Sequence, residues 1–200
     1  FRNITGNHTI SIVFRSFVPV QFTNAKNWNL VSLPVKVTDS RKDTLFPTAI
    51  SNAYAYDAGY ISKDTLVNGI GYWLKFPSAT IQSMTGNTII AETVDVREGW
   101  NIIGSISSPL PVTSVTADSG TIATSGFFGY RGSYFTSDTI VPGKAYWINV
   151  NQNVKLILSS SSALSSAQSL RIVASSELPP PPPEGENEKI LAKEMPKEYR

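Results

Sequence analysis

Apolar and polar residues alternate in short runs along this chain, and glycine, proline, asparagine and aspartate punctuate the runs. That is the pattern of strands joined by tight turns. Trp28-Asn-Leu-Val-Ser-Leu33 and Trp100-Asn-Ile-Ile-Gly-Ser105 read as β runs that end at Pro34 and at Pro109 and Pro111. Residues 54–61 and 127–136 read as hairpins around Asp57-Ala58-Gly59 and Arg131-Gly132-Ser133. Val67-Asn68-Gly69 and Val141-Pro142-Gly143 then turn into the strands 71–76 and 145–150. Residues 88–96, 154–158 and 170–173 complete the strand inventory. One short helix is expected over 39–45, because Pro47 lacks an amide donor and disfavours helix in the residue before it.

The order of elements occurs twice. YAYDAGYISKDTLVNGIGYWLKF at 54–76 aligns without a gap on FGYRGSYFTSDTIVPGKAYWINV at 128–150, an offset of 74. Asn27-Trp28-Asn29-Leu30-Val31 matches Gly99-Trp100-Asn101-Ile102-Ile103 at an offset of 72. Repeats of this kind organise a fold before any single residue does. The expected architecture is all-β: an internally duplicated, pseudo-twofold β-sandwich or barrel-like module with a disordered proline-rich C-terminal linker. The expected division is 1–17 as the end of a preceding domain, 18–96 as the first copy, 97–176 as the second copy with a closing strand, and 177–200 as the linker. Five prolines at 179–183 favour a stiff extended spacer, and the charged stretch after them carries too little apolar surface to fold alone.

Composition removes several chemistries. Charged residues are 16% of the chain, below the roughly 25% of average proteins. Serine and threonine number 42, a profile suited to extracellular β modules. With no cysteine and only His8 as histidine, thiolate sites and a Ser-His-Asp triad lose their usual parts. Residues 1–176 carry 13 basic and nine acidic groups, but the cations are scattered singly instead of forming the stripe that binds phosphates, so no nucleic-acid partner is expected. No apolar run approaches the ~20 residues that span a bilayer. The first residues read as mid-strand, and the chain is taken as part of a longer protein.

Each candidate site has a plain structural alternative. Trp28, Trp73, Trp100 and Trp147 recur at matched places and read as core anchors, whereas a flat aromatic platform for sugars is the competing reading. Tyr54, Tyr56, Tyr60, Tyr130 and Tyr134 are the candidates for an exposed ligand-facing set, because alternation splits them between the two sides of their hairpins. Gly69 and Gly143 are expected at positive φ in turns. Asp64 and Asp138, each followed by threonine, read as turn caps in preference to calcium ligands. His8 reads as a surface or packing residue, and the triplets at Asn3 and Asn7 as incidental matches to a glycosylation acceptor. No cofactor, metal or catalytic residue is expected.

The paired motifs Asn27–Val31 and Gly99–Ile103, the Gly69-Ile70-Gly71-Tyr72-Trp73 and Gly143-Lys144-Ala145-Tyr146-Trp147 segments, and the Glu-Leu-Pro-Pro-Pro-Pro-Pro of 177–183 carry a resemblance. Together they resemble the C-terminal regions of large secreted bacterial surface proteins, where such a region commonly precedes an Ig-like sorting domain for type IX secretion. Residues 1–12 resemble the closing hairpin of small Ig-like or InlB-type bacterial repeat domains. The resemblance implies an extracellular or cell-surface location and carries no catalytic activity. The expected function is a non-enzymatic structural or adhesive unit, a monomeric spacer or docking module whose partners are a surface glycan or other domains of the same protein. The alternative is a carbohydrate-binding module serving an upstream hydrolase. A glycosidase would need two carboxylates flanking a cleft, and no recognisable pair occurs.

Overall fold

The computed structural model describes residues 17–118, 122–161, 168–173 and 177–183. His8, Asn3, Asn7 and the rest of the expected preceding domain, apart from Phe17, lie outside the described residues, as do residues 184–200 of the expected linker.

The described chain is nearly all β. The first half runs β1 (Phe17–Asn24), β2 (Asn27–Ser32), β3 (Val35–Lys36), a one-turn helix α1 (Lys42–Leu45), β4 (Ala53–Tyr56), β5 (Tyr60–Lys63), β6 (Gly71–Phe76) and β7 (Thr80–Thr88). The second runs β8 (Ala91–Val96), β9 (Gly99–Ile103), β10 (Leu110–Pro111), β11 (Thr116–Ala117), β12 (Ala123–Thr124), β13 (Phe127–Tyr130), β14 (Tyr134–Ser137), β15 (Thr139–Ile140), β16 (Tyr146–Val150) and β17 (Val154–Ser159). Short strands β18 (Gln168–Ser169) and β19 (Arg171–Ile172) follow.

Strand pairs recur between the halves in the same register. One sheet is ordered β2-β6-β4-β5, and β9, β16, β13 and β14 pair in the corresponding way. Leu30 opposite Trp73 has its counterpart in Ile102 opposite Trp147. Tyr54 opposite Trp73 has its counterpart in Phe128 opposite Trp147. The antiparallel ribbon of β1 and β7 ends at Asn24 opposite Thr80, and that of β8 and β17 at Val96 opposite Val154.

The repeated dipeptides now have physical reasons. In each Trp-Asn motif the asparagine clamps the turn before it: Ala25 donates its amide to Asn29 Oδ1 at 2.9 Å, and Arg97 donates to Asn101 Oδ1 at 3.0 Å. The turn itself needs positive φ, met by Asn27 at 73° and Gly99 at 93°. In each Tyr-Trp motif alternation sends the two rings to opposite faces. Tyr72 and Tyr146 enter the cores of their own halves, where their hydroxyls accept the amides of Val67 and Val141. Trp73 and Trp147 point the other way, into a third cluster between the halves.

Two expectations change. The division at residue 96 places residues 91–96 with the first copy, but β8 pairs with β17, and Ile89, Val94 and Val96 are buried in the core of the second half. The chain leaves one ribbon at Thr88 and enters the other at Ala91, so the boundary between halves falls before β8. The turn-cap reading of Asp64 and Asp138 changes in that their carbonyls accept the amides of the remote Lys42 and Val112, tying each turn to an earlier segment. The Asp138 carboxylate also accepts Thr139 Oγ1 at 2.9 Å.

Candidate functional site

The two halves meet along a seam that begins with main chain. Ser32 donates its amide to the Gly143 carbonyl at 3.1 Å, and Gly104 donates to the Gly69 carbonyl at 2.8 Å, a matched pair of contacts. The Ser32 and Ser105 hydroxyls share a 2.9 Å hydrogen bond, and the Gly143 amide donates to Ser105 Oγ. Close approach here depends on Gly71, where an added Cβ would lie 2.3 Å from an Ile102 methyl and 2.5 Å from the Ala145 Cβ.

Above this backbone lies an aromatic cluster in which each hairpin reaches across to the other half. Tyr56, on the β4–β5 hairpin, packs edge-on against Trp147 with centroids 4.7 Å apart. Its counterpart Tyr130, on the β13–β14 hairpin, packs against Trp73 at 4.9 Å. Tyr60 and Tyr134 stand 6.5 Å from Trp147 and Trp73. Within each half, Trp28 meets Trp73 at 6.3 Å and Trp100 meets Trp147 at 6.1 Å. Edge-to-face pairs of this kind contribute about 0.5–1.5 kcal/mol each beyond their burial. The exchange of rings therefore ties the halves together.

All five tyrosines singled out from the sequence join this cluster, each half-buried. Tyr54 stays edge-on to Trp28 of its own half at 6.1 Å. The tryptophans divide: Trp73 and Trp147 are fully buried, whereas Trp28 and Trp100 keep part of their surface exposed at the two ends of the cluster. The reading as core anchors is met in full by Trp73 and Trp147, while Trp28 and Trp100 pack partly buried against the same cluster. The indole N–H groups of Trp73 and Trp147 have no hydrogen-bond partner among the described residues.

Residues 177–183 lie across this cluster, which corrects the expectation of a linker without tertiary contacts over that stretch. Tyr60 donates its hydroxyl to the Pro181 carbonyl and, at 3.4 Å, to that of Pro180. Tyr134, its counterpart in the other half, donates to Pro180. Trp100 donates Nε1 to Glu177 Oε1 at 3.2 Å. Pro179 and Pro183 are buried. Pro182 and Pro183 close a cleft of about 470 Å³ with Lys26, Trp28, Lys75 and Tyr130, and the Lys75 ammonium lies 5.6 Å from the Trp28 ring centroid. Proline suits this role physically. It has no amide donor to leave unsatisfied, its φ is already fixed, and its carbonyl is a free acceptor. Burial pushes the Tyr60 and Tyr134 hydroxyls well above the usual phenol range. Both therefore remain donors at neutral pH.

A second concavity of about 540 Å³ opens beside the seam between β1 and the β13–β14 hairpin. Lys144 Nζ donates there to the Thr23 carbonyl and Asn24 Oδ1, 5.7 Å from the Phe22 ring centroid. Burial, and secondarily the charge of Arg131, pull its ammonium down to about 8. Among the described residues, no group of three or more histidines and carboxylates is placed to hold a metal, and no helix is long and apolar enough to cross a membrane. Comparison with family models, curated protein sequences and solved structures gives no match.

Proposed function

We propose that the chain is a non-catalytic β module of a larger secreted or surface-anchored bacterial protein, serving as a docking and spacer unit. The observation that carries the docking role is the seating of residues 177–183 on an aromatic seam built by both halves, with Tyr60, Tyr134 and Trp100 as donors. A strand held at several points leaves the module along a defined path, so whatever follows is oriented by the module. The extracellular setting rests on the resemblance of the paired Trp-Asn and Tyr-Trp motifs and the proline run. The non-catalytic reading is supported by the seam's own groups, which are neutral phenols and indoles rather than paired acids and bases.

The partly exposed Trp28 and Trp100 favour the carbohydrate-binding alternative in one respect, since both could stack on sugar rings. The two readings separate on one pair of measurements in the full chain. Replacing residues 179–183 by glycine and serine shifts the Trp100 indole NMR resonance if the strand is docked, and an unchanged resonance overturns docking. Titration of the native chain with oligosaccharides leaves the tryptophan emission unchanged on the docking reading. A saturable change transfers the assignment to sugar binding.

A further inference from the structure

The seam has the attributes of a recognition site as well as of an intramolecular clasp, and its two ends differ in a way that bears on what it selects. Tyr60 and Tyr134 converge on neighbouring carbonyls of the proline run, and such contacts read an extended proline backbone without requiring side-chain identity. At one end Trp100 Nε1 holds the carboxylate that precedes the prolines. At the other, Lys26 and Lys75 flank Trp28 beside Pro182 and Pro183. The positions matching these lysines in the second half are Glu98 and Asn149, so the basic end is peculiar to the Trp28 side. The sequence after the prolines is rich in carboxylates, with Glu184, Glu186 and Glu188 within five residues of Pro183. In sequence these three carboxylates precede Lys189, so the first charges after Pro183 are opposite in sign to Lys26 and Lys75.

We propose that the seam is a recognition site for extended proline strands flanked by carboxylates, and that residues 177–183 are its resident ligand, held in cis and blocking it. The inference rests on the docking reading above and adds to it a ligand class and a selectivity. Phenol hydroxyls take the proline carbonyls, the Trp100 indole takes the leading carboxylate, and Lys26 and Lys75 attract the trailing ones. A tethered ligand competes at an effective concentration in the millimolar range for short flexible tethers. A free strand with a dissociation constant of about 0.1 mM is thereby weakened about tenfold in the native chain.

The test uses the full chain with residues 179–183 replaced by glycine and serine, titrated with synthetic peptides and followed by the tryptophan indole resonances. A Glu-Leu-Pro-Pro-Pro-Pro-Pro-Glu-Gly-Glu peptide is expected to saturate the emptied chain and to bind the native chain about tenfold more weakly. The same prolines flanked by lysines are expected to bind the emptied chain at least threefold more weakly, a difference that shrinks as salt is raised. No binding to the emptied chain, or equal affinity for both peptides, overturns the proposal. Failure of docking itself appears separately, as an emptied chain whose spectrum matches the native one before any peptide is added. If the emptied chain does not fold, the native chain carrying Lys26→Glu and Lys75→Glu supplies the reading. Its Trp28 and Trp100 indole resonances move towards exposed positions if the lysines hold the strand, and their constancy overturns the selectivity.

Discussion

Removing the two phenol hydroxyls, by Tyr60→Phe with Tyr134→Phe, isolates what holds the proline strand. Each hydroxyl donates to a proline carbonyl in a half-buried setting. A hydrogen bond of this kind contributes a net ~1 kcal/mol, so the pair should contribute about 2 kcal/mol to the folded, docked state. That corresponds to a roughly 30-fold change in the equilibrium. The rings remain, so the edge-to-face contacts with Trp73 and Trp147 persist. The substitution could still act through the neighbouring indoles, and a thermodynamic cycle removes that ambiguity. Denaturant unfolding is measured for the native chain, the double phenylalanine variant, the chain with residues 179–183 replaced by glycine and serine, and the combination. The hydroxyls should contribute about 2 kcal/mol when the prolines are present and close to nothing when they are absent. Equal losses in both backgrounds would refute the claim that the hydroxyls act through the proline strand.

Other consequences follow from the same seam. Trp73→Ala and Trp147→Ala each empty a fully buried site that packs against rings from both halves, and each should cost about 3–5 kcal/mol in chemical denaturation. Gly71→Ala drives a methyl into Ile102 and Ala145 across the seam and should destabilise by at least 1–3 kcal/mol, roughly the cost of overpacking, while Gly59→Ala meets open space and should cost far less. Stability should rise from about pH 8 to about pH 9.5, because unfolded Lys144 binds a proton that the folded chain has released. Lys144→Met should abolish that rise. Above pH 10 stability should fall, because Tyr60, Tyr72, Tyr134 and Tyr146 are buried as neutral phenols and ionise first in the unfolded chain. Unfolding curves across alkaline pH check both trends.

The strand content was legible because alternation and turn residues are local signals. The Trp-Asn and Tyr-Trp dipeptides could be placed on strands, yet the reason for each dipeptide appears only in three dimensions. Asn29 and Asn101 clamp a turn, and the Tyr-Trp pair serves two different cores. The move of β8 into the second half was hidden, since the link between Thr88 and Ala91 carries no glycine or proline to mark a change of sheet. Docking of the prolines was hidden for an energetic reason. A cost of ~1–2 kcal/mol of backbone entropy per ordered residue argues against docking, but proline has already surrendered much of that freedom in the unfolded chain. The donors that favour docking, Tyr60 and Tyr134, lie 74 residues apart and are brought to one place only by the seam.

The central claim is that both halves together grip the chain's own proline strand, and nuclear Overhauser contacts in the full chain test it most directly. With proline and tyrosine selectively labelled, the account predicts cross-peaks from Pro180 and Pro181 to the rings of both Tyr60 and Tyr134, one tyrosine from each half. Proline signals at random-coil positions, with no cross-peak to either ring, would contradict it.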